Sequence, residues 1–336
     1  MGARMKDIAR DLGVSLMTVS KALRSHSDIS EETKRRVLKR ARELNYRPNW
    51  IARSLVTRRT YMVGLIIPDL MHSFFAEVAK GIARKFDPLG YQIVISNSEE
   101  NPEAELREIQ VLLDRSVDGI IIAAAQSNIR GELFKILETR KIPYVLIDRL
   151  PAGFEGHFVG GRDEEIGMMA TEHLIDEGCR RIAHLRGPGN STGSGRLRGY
   201  RRALAKHQLE APADYVVSGQ HEDSTGYEGM RKLLGVSPRP DGVFCYNDPV
   251  AAGAIKAILE AGLKVPHDIA VIGAGNVHYS DLLRVPLSTI DQSSSLIGET
   301  AANLLVECIE AKNPVSPRRV LIPPRLIARE SSKQKQ

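Results

Sequence analysis

Over the first fifty positions, apolar residues recur at helical spacing. Ile8, Ala9 and Leu12 share one face of a helix predicted over 6–12. Gly13 allows a tight turn, and Ser15 stands as the N-cap of a second helix from Leu16 to about Arg24. In that helix Val19, Ala22 and Leu23 point inward, leaving Leu16, Met17, Ser20, Lys21 and Arg24 outward. Ser30 caps a third helix with Glu31 and Glu32 in its first turn, where the helix dipole favours them. Its basic later turns surround a stripe of Val37, Leu38, Ala41 and Leu44. Pro48 closes the module. Residues 49–59 fit one short helix, too short to be stable without a partner, either DNA or a second copy of itself.

From Tyr61 the period changes. Apolar runs at 62–67, 92–96, 119–123, 144–147, 181–185, 215–218, 242–245, 269–273 and 287–290 read as strands, and amphipathic helices fall between most of them. That alternation is the mark of parallel sheets covered by helices on both faces, an α/β class with doubly wound sheets. A stretch of this length suggests two sheets. Ligands in such folds bind beyond the C-terminal strand ends. The segments to inspect are therefore 69–75, 123–127, 148–149, 187–196, 220–224, 247–248 and 274–276. The polar tail 331–336 is expected to fray.

Charge separates the two regions. Residues 1–60 hold 15 Lys/Arg and 6 Asp/Glu, a net of +9, while 61–336 hold 32 and 35, a net of −3. A polyanion is the natural partner of the first module, although a solvated basic face would give the same numbers. The whole chain has 336 residues, 42% of them hydrophobic, which suggests two or three domains and excludes wholesale disorder. No run approaches a membrane span, and the N-terminus lacks the apolar stretch of a signal peptide, so a cytoplasmic location is expected, with no membrane partner. Cys179, Cys245 and Cys308 lack metal-ligand spacing and read as reduced thiols. Neither a metal, a cofactor nor a catalytic group is expected. Two helices joined by a Gly-containing turn make a helix-turn-helix whose second helix fits the major groove. A plain three-helix bundle is the bland alternative, but it gives no reason for Leu16 and Met17 to face solvent.

Several motifs together carry a resemblance. Lys6-Asp7-Ile8-Ala9, Gly13-Val14-Ser15 and Thr18-Val19-Ser20 resemble the DNA-binding headpiece of the LacI/GalR family of bacterial transcriptional regulators. The run from Glu43 to Asn49, followed by Ala52-Arg53-Ser54-Leu55, is similar to that family's hinge helix. Gly64 to Asp69, Ile147-Asp148-Arg149, Arg196 to Tyr200, Asn247-Asp248 and Pro286 to Ile290 resemble its sensor domain. The resemblance implies a headpiece over 1–48, a hinge over 49–60 and a sensor resembling periplasmic sugar-binding proteins over 61–330. Within the sensor, the N-subdomain takes about 61–159 and 292–322, and the C-subdomain about 160–291 and 323–330. It further implies a homodimeric repressor on a pseudo-palindromic double-stranded operator, controlled by a small-molecule effector, a sugar or other polar metabolite.

The resemblance also assigns roles. Leu16, Met17, Ser20 and Lys21 face base edges. Leu55 wedges into the minor groove, and Lys6, Thr18, Arg24, Asn49 and Arg53 meet the backbone. His72, Phe74, Asp148, Arg196, His221, Asn247 and Gln292 are the effector candidates. Gly275 stands where relatives usually carry an Asp, so the pocket is expected to lose an anchor and gain room, with Arg162 as a candidate replacement cation. Two rivals come from other classes. One is a cytoplasmic α/β enzyme or small-molecule-binding protein with an accessory DNA-binding module, for which the glycine-rich run 187–195 is the candidate phosphate loop. The run lacks the Lys-Ser/Thr ending of a P-loop. The other is a transporter's solute-binding protein, which the basic headpiece opposes.

Overall fold

The three N-terminal helices form where the spacing of apolar residues places them. The computed structural model describes residues 3–23, 27–46, 54, 59–129 and 131–333. Helices α1 (Met5–Leu12), α2 (Leu16–Leu23) and α3 (Glu31–Glu43) close around Ile8, Ala9, Val19, Ala22, Val37 and Ala41. Gly13 ends α1 in the left-handed region at φ 65°, which a residue with a Cβ adopts only at a cost. Ser15 Oγ accepts the Thr18 N–H at 3.0 Å and Ser30 Oγ that of Thr33 at 3.3 Å, so both expected caps are in place. The chain divides into two compact units, Met1–Thr60 and Tyr61–Gln336.

The second unit contains two six-stranded sheets. The first uses β1 (Met62–Ile67), β2 (Gln92–Asn97), β3 (Gly119–Ile122), β4 (Tyr144–Ile147), β5 (Phe158–Gly161) and β11 (Arg319–Ile322), in the order β11-β5-β4-β3-β1-β2. The second uses β6 (Ile182–Arg186), β7 (Val216–Ser218), β8 (Gly242–Cys245), β9 (Ala270–Ala274), β10 (Ser288–Asp291) and β12 (Arg325–Ile327), in the order β12-β10-β9-β8-β6-β7. Every pairing is parallel except β10 with β12. The chain therefore passes between the sheets three times: after β5, after β10 and between β11 and β12.

Both faces of each sheet are buried. Leu65 and Ile67 face one core with helices α4 (Ser73–Phe86) and α11 (Ser294–Glu310), while Ile66 between them faces a second core with α5 (Pro102–Asp114) and α6 (Glu132–Arg140). In the other sheet α7 (Asp163–Asp176) and α8 (Ser191–Lys206) cover one face, and α9 (Asp223–Leu234) and α10 (Asp248–Glu260) the other. Helices α7 and α8 meet very closely: a Cβ added at Gly167 would lie 2.1 Å from the Arg196 carbonyl oxygen.

The structure corrects two expectations. Strands β5, β11 and β12 have no counterpart among the predicted runs. The expected frayed tail is instead docked over its first residues: Ser331 and Ser332 are fully buried. Ser331 Oγ donates to the Val271 carbonyl and accepts the Ser288 N–H, while Ser332 Oγ lies 2.6 Å from both His173 Nε2 and Ser288 Oγ. Residues 334–336 lie outside the described residues.

Candidate functional site

In the first unit, Leu16 and Met17 are 52% and 64% exposed at the start of α2, with no packing role among the described residues to explain them. Lys6 is exposed, and Ser20 and Thr18 are half-buried. Thr18 Oγ1 is hydrogen-bonded to Ser15 Oγ at 2.9 Å, which ties it into the cap. The Lys21 ammonium is held by the Asp28 carboxylate, so it reaches a base edge only by leaving that partner. Arg24, Asn49, Arg53 and Leu55 lie outside the described residues.

In the second unit all seven effector candidates line one cavity beyond the C-terminal strand ends. His72 comes from the turn after β1, Phe74 from the first turn of α4, Asp148 from the end of β4 and Arg196 from α8. His221 follows β7, Asn247 follows β8 and Gln292 follows β10. Phe75, Glu100, Arg149 and Tyr246 complete the wall and were not among the candidates. Phe75 and Arg149 do fall in the segments singled out for inspection, 69–75 and 148–149; adjacency to Asn247 was the only signal for Tyr246, and Glu100 gave none.

The polar groups are largely engaged with one another. Asp148 sits at φ 60°, a left-handed conformation that costs a residue with a Cβ about 1 kcal/mol or more. The turn is held by Asp148 N donating to Val159 O and Arg149 N to Ile147 O. Arg149 then grips Glu100 with two N–H groups at 2.5 and 2.6 Å. Arg196 donates to Asp163 Oδ1 (3.1 Å), the Tyr246 carbonyl (2.5 Å) and Gln292 Oε1 (2.7 Å), and its guanidinium lies 4.7 Å from the centre of the Tyr246 ring. Burial pushes the Asp163 carboxyl up to about 6 even with Arg196 beside it, and raises Asp148 as well. Asn247 caps α10: its Oδ1 accepts the Val250 N–H, and its Nδ2 reaches His221 O at 2.9 Å and His72 Nε2 at 3.0 Å.

The free space left is about 30 Å³, room for one or two water molecules. A ring-sized ligand enters only when the walls separate. The gain of room expected from Gly275 does not arise at this wall. Gly275, at φ 140°, sits beside Asp248 and does not line the cavity, and Arg162 pairs with Glu165 instead of supplying a cation. The glycine-rich run does not form a phosphate cradle either. Asn190 Oδ1 takes the Gly193 N–H at the start of α8, and Ser191 Oγ accepts from Leu150 N across the cleft.

Comparison with known proteins agrees with this arrangement. Residues 4–49 match the family described as bacterial regulatory proteins, lacI family, and residues 171–332 a periplasmic binding protein-like domain. The HTH-type transcriptional repressor PurR of Mannheimia succiniciproducens is 33% identical over 334 residues, 99% of each chain. The ribose operon repressor of Escherichia coli K12 is 33% identical over 332 residues, 98% of this chain and 100% of that one. The solved structure of a Lac repressor dimer bound to operator and the anti-inducer ONPF superposes with a TM-score of 0.85 at 26% identity, covering 99% of this chain and 100% of that one.

Proposed function

Because this chain belongs to the lacI family of bacterial regulatory proteins, and so is a DNA-binding transcriptional regulator, we propose that it represses its genes as a homodimer on a pseudo-palindromic operator. A small polar effector held in the cavity of the second unit sets its affinity for that operator. In this reading residues 1–48 are the headpiece, 49–60 the hinge and 61–330 the sensor, and the protein works in the cytoplasm. Leu16, Met17, Ser20 and Lys21 read bases, with Leu55 in the minor groove. Lys6, Thr18, Arg24, Asn49 and Arg53 hold the phosphate backbone. His72, Phe74, Asp148, Arg196, His221, Asn247 and Gln292 form the effector site, joined by Arg149 and Glu100.

One observation carries the proposal: a basic three-helix unit exposes two large apolar side chains on its second helix. In a bundle that arrangement loses burial for nothing, whereas in a major groove Leu16 and Met17 meet thymine methyl groups. The relatives support it, since one is a ribose operon repressor and another is a dimer seen on its operator. Selection of bound fragments from genomic DNA followed by footprinting tests the reading. Two half-sites related by a dyad are expected, with affinity falling steeply as salt rises. A single protected half-site, or binding indifferent to salt, refutes it.

A further inference from the structure

His72 is placed between two hydrogen-bond donors. Its Nδ1 lies 3.3 Å from the Phe74 N–H, the first-turn amide of α4. Its Nε2 lies 3.0 Å from Asn247 Nδ2, on the opposite wall of the cleft. The Asn247 amide cannot be turned round to help, because its oxygen takes the Val250 N–H and its other hydrogen goes to the His221 carbonyl, each at 2.9 Å. A neutral imidazole accepts from one of these donors. An imidazolium has two N–H groups and no lone pair, so it meets two donors with nothing to offer either.

The neighbouring imidazole is placed in the opposite way. His221, with its ring centre 6.1 Å from that of His72, has Asp69 and Glu222 at 3.5 and 3.7 Å from Nε2, and Glu100 at 3.7 Å from Nδ1. Three carboxylates stand around that ring, whereas the His72 ring meets two N–H donors. We propose that the cleft closes only on neutral His72, so that closure, and with it capture of the effector, expels any proton that His72 carries and is reversed by acid. The charged groups facing His72 act on it from every side. His221, Arg196 and Arg149 disfavour its charged form, while Asp69 favours it and Glu100 stands across the cavity. Burial in the wall outweighs the acids and lowers His72 to about 4. The inference rests on reading this cavity as the effector site, and its test uses neither effector nor DNA. Failure here would thus leave the regulator assignment standing.

The experiment measures closure in the full-length dimer against pH. Energy-transfer dyes are attached at Asp114→Cys on α5 and Glu228→Cys on α9, both exposed, in a Cys308→Ser background, with labelled subunits diluted into unlabelled protein. With an ordinary histidine value of about 6.5 in the open form, uptake of one proton lowers the closed-to-open ratio about thirtyfold between pH 7.5 and 5. His72→Gln, which cannot take up that proton, should flatten the curve, and His221→Gln should keep the fall. A wild-type closed fraction that does not fall over this range, including one that is nil throughout, overturns the proposal. So does a fall of equal size in His72→Gln.

Discussion

Replacing Arg196 with Met removes the guanidinium but keeps most of the aliphatic bulk over the Tyr246 ring. Arg196 is 3% exposed, and three of its five N–H groups are spent on Asp163, Tyr246 O and Gln292. Without it the Asp163 carboxyl, only 15% exposed, loses its counter-ion. Breaking a buried pair from one side costs about 3–5 kcal/mol, because the remaining group keeps its desolvation penalty. Two acceptors also lose their donor, but those losses overlap the first and are not added to it. The total is a large share of the roughly 5–15 kcal/mol that holds a domain together. Urea unfolding at pH 7 and fixed protein concentration measures it, since a dimer's stability depends on concentration. Adding Asp163→Asn should recover about half of the loss or more by removing the stranded charge. A cost below about 1 kcal/mol for Arg196→Met, or no recovery in the double variant, would refute the claim that Arg196 is as much a strut as a ligand-facing group.

Three further outcomes are expected. Glu105 on α5 is fully buried, with its Oε1 accepting the Ala125 N–H at 2.7 Å, and burial pushes its carboxyl from 4.5 up to about 7. The folded chain therefore holds a proton that the unfolded chain releases, and this group's contribution is lost as pH rises from about 4.5 to 7. Glu105→Gln should gain up to about 3 kcal/mol on wild type at pH 8 and little at pH 4.5; equal gains at both values would contradict the assignment. Met17→Ala and Lys21→Ala should each weaken operator binding by about 1–3 kcal/mol in a titration, and Lys21→Ala should also relax preference at one base pair; unchanged selectivity would remove Lys21 from the interface. Gly167→Ala forces α8 away from α7 against the Arg196 carbonyl and should cost about 1–3 kcal/mol, read as a lowered Tm; an unchanged Tm would mean that the close approach is not needed.

Local order was legible in the chain itself. Helix caps, the Gly13 turn and the nine long apolar runs depend on neighbours a few residues apart, so their periods survive in one dimension. The headpiece and the two-sheet α/β class follow from them. The strands that went unseen are β5, β11 and β12, of four, four and three residues. The first ends in two glycines, and each is held by a partner far along the chain, as Arg319 is by Phe158. Ser331 and Ser332 look like a solvent tail because hydroxyls usually seek water; here acceptors and donors on β9, β10 and α7 replace it.

The cavity divides in the same way. Residue type and position after a strand were enough to gather His72, Phe74, Asp148, Arg196, His221, Asn247 and Gln292 around one space. What each does there was decided by which distant group reached it first. Glu100 is 49 residues from the arginine it neutralises, and Asn247 is 175 residues from the imidazole it faces. A polar side chain has the same hydrogen-bonding capacity wherever it stands. Whether that capacity is spent on the protein or left for a ligand is fixed only when packing brings segments together.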